Sequence, residues 1–140
     1  MVEIHAVTQA DQAFWQGLDR ALPPAELKRK IRDSQGYVLT ADTQPVGLLR
    51  YNLFWDELPF CTLLMVEEGQ RGRGYGRQLL LYWEGEMRRQ GHTALLTSTR
   101  ADEGAQHFYR KLGYRDAGCL LLDLPGWEQP AELFFIKPLA

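Results

Sequence analysis

Val66-Glu67-Glu68-Gly69-Gln70-Arg71-Gly72-Arg73-Gly74-Tyr75-Gly76 joins an apolar, strand-like run to an amphipathic, helix-like one. Gly72, Gly74 and Gly76 let the backbone bend through conformations that other residues avoid, and they leave no side chain in the way. Several amide N–H groups can therefore converge on one anion at the start of the following helix, where the dipole favours negative charge. Arg71, Arg73 and Arg77 add positive charge beside it. The stretch has the makings of a phosphate grip.

Two common phosphate motifs do not fit it. Gly72-x-Gly74-x-Gly76 lacks the spacing G-x-G-x-x-G, and no acidic residue about twenty positions on ends a second strand to take a ribose hydroxyl. A P-loop needs Lys and then Ser or Thr after its last glycine, whereas Gly76 is followed by Arg77-Gln78. What fits is Arg-x-x-Gly-x-Gly, from Arg71 to Gly76, which resembles the acetyl-CoA pyrophosphate loop of the GNAT superfamily of N-acetyltransferases. Downstream, Ala105-Gln106-His107-Phe108-Tyr109-Arg110-Lys111-Leu112-Gly113-Tyr114 resembles the closing helix and turn of the same family. The two motifs stand in the family's order, and the resemblance extends over essentially the whole chain.

Composition independently points to one domain over residues 1–140. A chain of this length with 45% hydrophobic residues buries one core and leaves no room for a second. No apolar run reaches the length of a membrane span, and the first residues are polar and acidic rather than a basic, apolar leader, so the expected location is cytoplasmic. Cys61 and Cys119 both lie in apolar runs, where a thiol behaves as a small hydrophobe, and neither a disulfide nor a metal site is expected. His5, His92 and His107 show no ligand spacing with them. A net charge of −2 argues against a broad nucleic-acid footprint.

Periodicity supplies the elements. Residues 2–7 alternate like a strand, and Asp11 is placed to cap a helix carrying Phe14, Trp15 and Leu18. Pro23-Pro24 separates it from a helix over residues 25–34, which Gly36 is expected to close. Strands follow over 37–41, 46–51 and 60–66, the last so apolar that burial on both faces is expected. The helix over 74–90 puts Gly76, Leu80, Trp83 and Met87 on one stripe and Glu84 four residues before Arg88, a favourable surface pair. A strand over 93–99, a helix over 101–112 ended by Gly113, and strands over 114–122 and 132–137 complete the pattern.

The resemblance implies an α/β fold of the α+β type. Its central, mostly antiparallel mixed sheet has six to seven strands, splays between the fourth and fifth, and is flanked by about four helices. In that family the pantetheine arm of acetyl-CoA pairs with the end of the fourth strand, here Leu64, Met65 and Val66, like an added strand. The pyrophosphate then falls on Arg71, Gly72, Arg73, Gly74, Tyr75, Gly76 and Arg77. Asp102 stands where many relatives carry a cofactor-contacting asparagine; an aspartate cannot donate through its side chain, so it is expected to serve as a helix cap.

The implied reaction is direct attack of a primary amine on the thioester, without a metal. A backbone N–H near Val66 or Glu67 would polarise the carbonyl, and Tyr109 would serve the departing thiolate. The glutamates that act as base in some relatives, early on the fourth strand or on the fifth, are absent here; the corresponding residues are Phe60-Cys61-Thr62 and Thr97. Asp56, Glu57 and Glu67 remain as candidate bases beside a water chain, and with Glu68 they would suit a cationic amine. Trp55 and Trp127 are expected to anchor the core or loops, and His107 to face solvent or cap the packing. Acceptor choice would lie in residues 52–59 and 123–130; the acceptor is a small-molecule or a protein amine, with no nucleic-acid or membrane partner expected. Strands at the C-terminal edge could pair two copies into a homodimer. The alternative from another class is a non-catalytic acyl-CoA-binding sensor or interaction module on the same fold.

Overall fold

The computed structural model describes residues 1–139. Its strands are β1 (Val2–Ala6), β2 (Gly36–Ala41), β3 (Gln44–Phe54), β4 (Leu58–Val66), β5 (Ala94–Arg100), β6 (Arg115–Leu120) and β7 (Glu132–Pro138). They form one sheet in the order β1-β2-β3-β4-β5-β7-β6, antiparallel except where β4 meets β5. The helices are α1 (Gln12–Leu18), α2 (Pro24–Asp33), α3 (Tyr75–Arg89) and α4 (Ala105–Lys111). This is the mixed α/β architecture expected from the sequence.

Side chains alternate across each strand, so each face of the sheet gathers its own core. Trp15 of α1 and Leu27 of α2 pack with Val7, Val38 and Leu48 on one face. Leu79, Leu80, Trp83 and Met87 of α3 and Tyr109 of α4 pack with Leu39, Leu49, Leu95 and Phe135 on the other. Each such large side chain contributes about 1.5–3 kcal/mol by leaving water.

Several local expectations need correction. Ser34, not Gly36, ends α2 in the left-handed conformation, at φ 54°. Gly36 instead begins β2, where a Cβ would lie 2.9 Å from Cη2 of Trp15. Asp11 makes no side-chain bond to α1; its carboxylate accepts the Thr8 N–H at 2.9 Å and braces the preceding 3₁₀ turn. α4 begins at Ala105 rather than at residue 101, with Gly104 before it, so Asp102 does not cap the helix. Cys119 is exposed on the edge strand β6, and only Cys61 is a buried hydrophobe.

The most consequential correction concerns β4. Its outer half is only partly buried, and Thr62 is exposed. Arg50 of β3 faces Leu63 while Tyr51 faces Cys61, which makes Thr62 an extra residue, a β-bulge. β4 pairs with β5 only through Phe60 with Leu96 and Cys61 with Thr97. The Thr97 hydroxyl donates to the Cys61 carbonyl at 3.1 Å just before the bulge. A bulge bends its strand and increases its twist. Pairing with β5 ends at this point, so Leu64 and Val66 line a split while Leu63 and Met65 pack against the core under α1 and α2.

Glu84 also departs from expectation. It is buried, not paired with Arg88, and its carboxylate accepts from Tyr114 Oη at 2.9 Å and Lys137 Nζ at 2.9 Å. The Tyr114 phenol is held well above its ordinary pKa, first by burial and then by the Glu84 charge. This cluster ties α3 to β7 and to the turn after α4. Lys137→Met should leave the Glu84 carboxylate buried without its cation and cost about 2 kcal/mol, below the range for fully enclosed pairs because Lys137 keeps some solvent contact. Urea unfolding measures it; an unchanged midpoint would remove the cluster from the stabilising interactions.

Candidate active site

The glycine-rich stretch forms one wall of a cavity of about 560 Å³. After β4, residues Glu68–Gln70 make a 3₁₀ turn and Arg71 Nε donates back to the Val66 carbonyl at 3.0 Å, which fixes the base of the loop. Gly72 and Gly74 then take φ of +81° and +83°, and a Cβ at either would meet nothing within 4 Å. Only glycine adopts this backbone without strain, and the space above it is open. The first helical bond of α3 runs from Gln78 N to Gly74 O at 3.0 Å, so the N–H groups of Tyr75, Gly76 and Arg77 have no helical partner. They open the helix beside the cavity lined by Gly72, Gly74 and the flanking Arg71 and Arg77. The arrangement has the chemistry to hold an anion: unpartnered backbone amides with two guanidiniums beside them.

β4 supplies the second wall. The Glu67 N–H donates to Val46 O at 2.9 Å, and antiparallel pairing alternates along the strand. Met65 and Leu63 therefore also turn their backbone groups to β3, while Leu64 and Val66 turn theirs toward the split. Of these, the Val66 carbonyl is taken by Arg71, leaving both N–H groups and the Leu64 carbonyl. Glu67 is thus excluded as an oxyanion donor. Met65 does not reach the cavity: its backbone serves β3 and its side chain packs with Trp15 and Leu27 on the opposite face.

The inner end of the cavity is formed by Leu64, Ala105, Phe108 and Tyr109. Tyr109 is both a core residue and a cavity residue: it is 6% exposed, with its ring 5.6 Å from that of Tyr114 and 6.0 Å from that of Phe135. Phe108, adjacent in sequence, lines the same cavity. Burial raises the Tyr109 phenol above its ordinary pKa, with proximity to Cys61 adding to it and hydrogen bonding to Thr97 opposing it. Burial likewise pushes the Cys61 thiol up to about 12. Both groups are protonated at neutral pH.

Other sequence-predicted residues lie elsewhere. Asp56 and Glu57 occupy the β3–β4 hairpin tip, with Trp55 and Asp56 in left-handed conformations. Glu57 is five residues from Thr62, on the order of 16 Å along a strand. Glu67 and Arg73 are exposed and do not line the cavity. Asp102 binds Arg100 at 3.0 Å instead of facing the loop. Trp55 and Trp127 anchor no core; they are 78% and 67% exposed. Sequence reasoning missed Gln70, Ala105 and Phe108 as lining residues. Only Phe108 carried a signal, an aromatic beside Tyr109.

Residues 4–114 match the sequence model of the acetyltransferase (GNAT) family, to which this chain belongs. Ard1 from Thermoplasma volcanium superposes with a TM-score of 0.86 at 17% identity, over 99% of this chain and 98% of that one. The ribosomal-protein-S18-alanine N-acetyltransferase from Escherichia coli gives 0.77 at 20% identity, over 100% and 95%. Naa50 of Arabidopsis thaliana, in complex with the bisubstrate analogue CoA-Ac-MVNAL, gives 0.79 at 16%, over 97% of each. At such identities the likeness is one of fold. No curated protein sequence matches the chain significantly. Among the described residues no helix is long and apolar enough to cross a membrane, and no group of His, Cys, Asp and Glu could hold a metal.

Acetyl-CoA, the co-substrate of this family, fits the residues present. The glycine cradle suits its pyrophosphate, the Leu64 carbonyl and the Val66 N–H its amide-bearing arm, and the apolar inner end its acyl group.

Proposed function

We propose that this protein transfers an acetyl group from acetyl-CoA to a primary amine. The observation that carries the proposal is the continuity of three features in one cavity: the amide cradle at Gly72–Gly76, the unpaired edge at Leu64 and Val66, and the Tyr109 phenol at the inner end. Acetyl-CoA supplies the activated acyl carbon; a C–N bond forms there as the C–S bond breaks, the electron pair leaves on sulfur, and the amine's proton passes to water.

The chain's own groups then have distinct tasks. Arg71, Arg77 and the start of α3 bind negative charge. The Leu64 N–H, about 6.6 Å further from the loop than that of Val66, lies nearest the inner end and is placed to donate to the developing oxyanion. Tyr109 donates a hydrogen bond to the departing sulfur. Full proton transfer from an ordinary phenol to a thiolate is uphill by about 2 kcal/mol, and the raised Tyr109 makes it steeper still. Tyr109 therefore stabilises charge without giving up its proton early. Asp56 and Glu57 stand too far along β4 to collect the amine's proton, and Glu67 lies outside the cavity. The two free thiols accord with a reducing, cytoplasmic location.

The test is calorimetric titration with acetyl-CoA and with CoA, alongside release of free thiol over a panel of small amines and peptide N-termini. Binding with amine-dependent release is expected. Binding with no release from any acceptor would favour a sensor, and no binding would overturn the proposal.

A further inference from the structure

The helices leave one part of the sheet bare. α1 and α2 cover the face formed by β1 to β3 and the outer residues of β4, Leu63 and Met65. On that same side, β5 and β7 present Leu96, Ser98, Phe134 and Ile136 without a helix above them, because Leu95, Thr97 and Phe135 point to the opposite face. The bare area is a groove. Phe54, Trp55 and Leu58 from the β3–β4 hairpin wall it on one side, and Leu96, Phe134 and Ile136 floor it. Phe60 stacks parallel to Phe134 at 5.9 Å and is edge-on to Phe54 at 6.4 Å.

Past the Phe134 end of the groove, outside its lining, stands a carboxylate. Glu132 lies two residues from Phe134 on the same face of β7, about 6.6 Å away along the strand. Its Oε2 accepts from Ser98 Oγ at 2.7 Å and its Oε1 from Gln129 Nε2 at 2.8 Å. The obvious cation for it is committed elsewhere: Arg100, opposite Glu132 in register, spends its guanidinium on Asp102 at 3.0 Å. Among the described residues Glu132 is a partly buried carboxylate, fixed by two neutral donors and in no salt bridge, with Arg100 acting on it only through space. Each of its oxygens keeps a lone pair for another donor.

This end also meets the split in the sheet. Thr97 is the last β5 residue paired with β4, and Ser98 follows it on the helix-free face. A group held by Glu132 beside Ser98 thus approaches the opening from the side opposite the Tyr109 cavity.

Resting on the acetyltransferase proposal, we infer that this groove is the acceptor site and that it takes a small primary amine with an apolar, ring-sized body. The ring lies on Phe134 and Leu96, and the nitrogen reaches Glu132. A groove of about 270 Å³ is smaller than most drug-sized sites, which suits one ring and a short arm. The fixed carboxylate selects a cation, and the aromatic walls give a polyamine or an acidic amino acid little to hold. The bound ammonium must first give a proton to water to free its lone pair; as the nitrogen then attacks it regains positive charge, which the same carboxylate stabilises until its second proton also passes to water.

The test titrates 2-phenylethylamine and its uncharged analogue 2-phenylethanol into the protein without acetyl-CoA, by ligand-observed NMR, for the native chain and for Glu132→Gln and Phe134→Leu. The native protein should bind the amine about tenfold more tightly than the alcohol, the increment of one hydrogen bond to a charged group. Glu132→Gln should erase that difference, while Phe134→Leu should weaken both ligands. Unchanged CoA affinity certifies that each variant is folded. Equal binding of amine and alcohol, an unaffected Glu132→Gln variant, or a dimer in sedimentation that Phe134→Leu dissolves would each overturn the inference. Thiol release separates the two proposals. Turnover of spermidine or a peptide but not of 2-phenylethylamine would sink the acceptor site alone; Glu132-dependent binding without any release would sink the transferase alone.

Discussion

Gly74→Glu should weaken CoA binding by at least about a hundredfold while leaving a folded protein. Two effects act together. Gly74 holds φ +83° as the residue before α3, and an L-residue there costs about 1–2 kcal/mol in a backbone that must stay left-handed. The side chain then projects into open space at the amide cradle, where nothing lies within 4 Å of its Cβ. A carboxylate about 5 Å from a pyrophosphate charge is repelled by roughly 3 kcal/mol at an effective dielectric of 20. Gly74→Ala separates these contributions, because it adds the backbone strain without the charge and should lose far less affinity. Calorimetry with CoA, beside circular dichroism for the fold, decides. Native affinity in folded Gly74→Glu would mean that the phosphate does not rest on this loop.

The cradle was legible in the sequence because its physics is local. Alternating glycines, flanking arginines and a following amphipathic stripe act within a dozen residues, and the structure places Gly72, Gly74, Arg71 and Arg77 around one cavity. The succession of elements along the chain and the stripe of Leu80, Trp83 and Met87 were legible for the same reason. What escaped depends on partners distant in the chain. Glu84 looks like half of a surface pair with Arg88, and only the return of β7 brings Lys137 to it, 53 residues away. Continuous apolar character in β4 suggested two buried faces; the bulge at Thr62 reopens the sheet, and a bulge leaves no mark in hydrophobicity. Glu132 offered no signal at all, since its meaning comes from Ser98 beside it and from Arg100 being occupied. The hairpin carboxylates looked close to the chemistry because they are close in sequence to β4, but an extended strand carries them away from it.

Tyr109→Phe should lower kcat by about a hundredfold or more, the usual worth of a positioned acid or hydrogen-bond donor, with CoA affinity changed less than about threefold. Phenylalanine keeps the ring that packs on Tyr114 and Phe135, so the fold and the apolar inner end of the cavity survive. Only the hydroxyl that would face the departing sulfur is lost, and that interaction strengthens as charge develops in the transition state. The pH profile adds a check that packing alone would not meet. Burial raises the Tyr109 phenol above its ordinary value, so its proton is present at low pH and stays through pH 10, leaving only above the raised value. The native rate should therefore climb with pH as the acceptor amine loses its proton, and show no fall from phenol ionisation near 10. The variant should follow the same climb at a lower level. Should the native enzyme instead fall off near pH 10 and Tyr109→Phe not, the phenol would be ordinary and solvated. Equal kcat values in the two proteins would take Tyr109 out of the chemistry and leave the leaving sulfur to water.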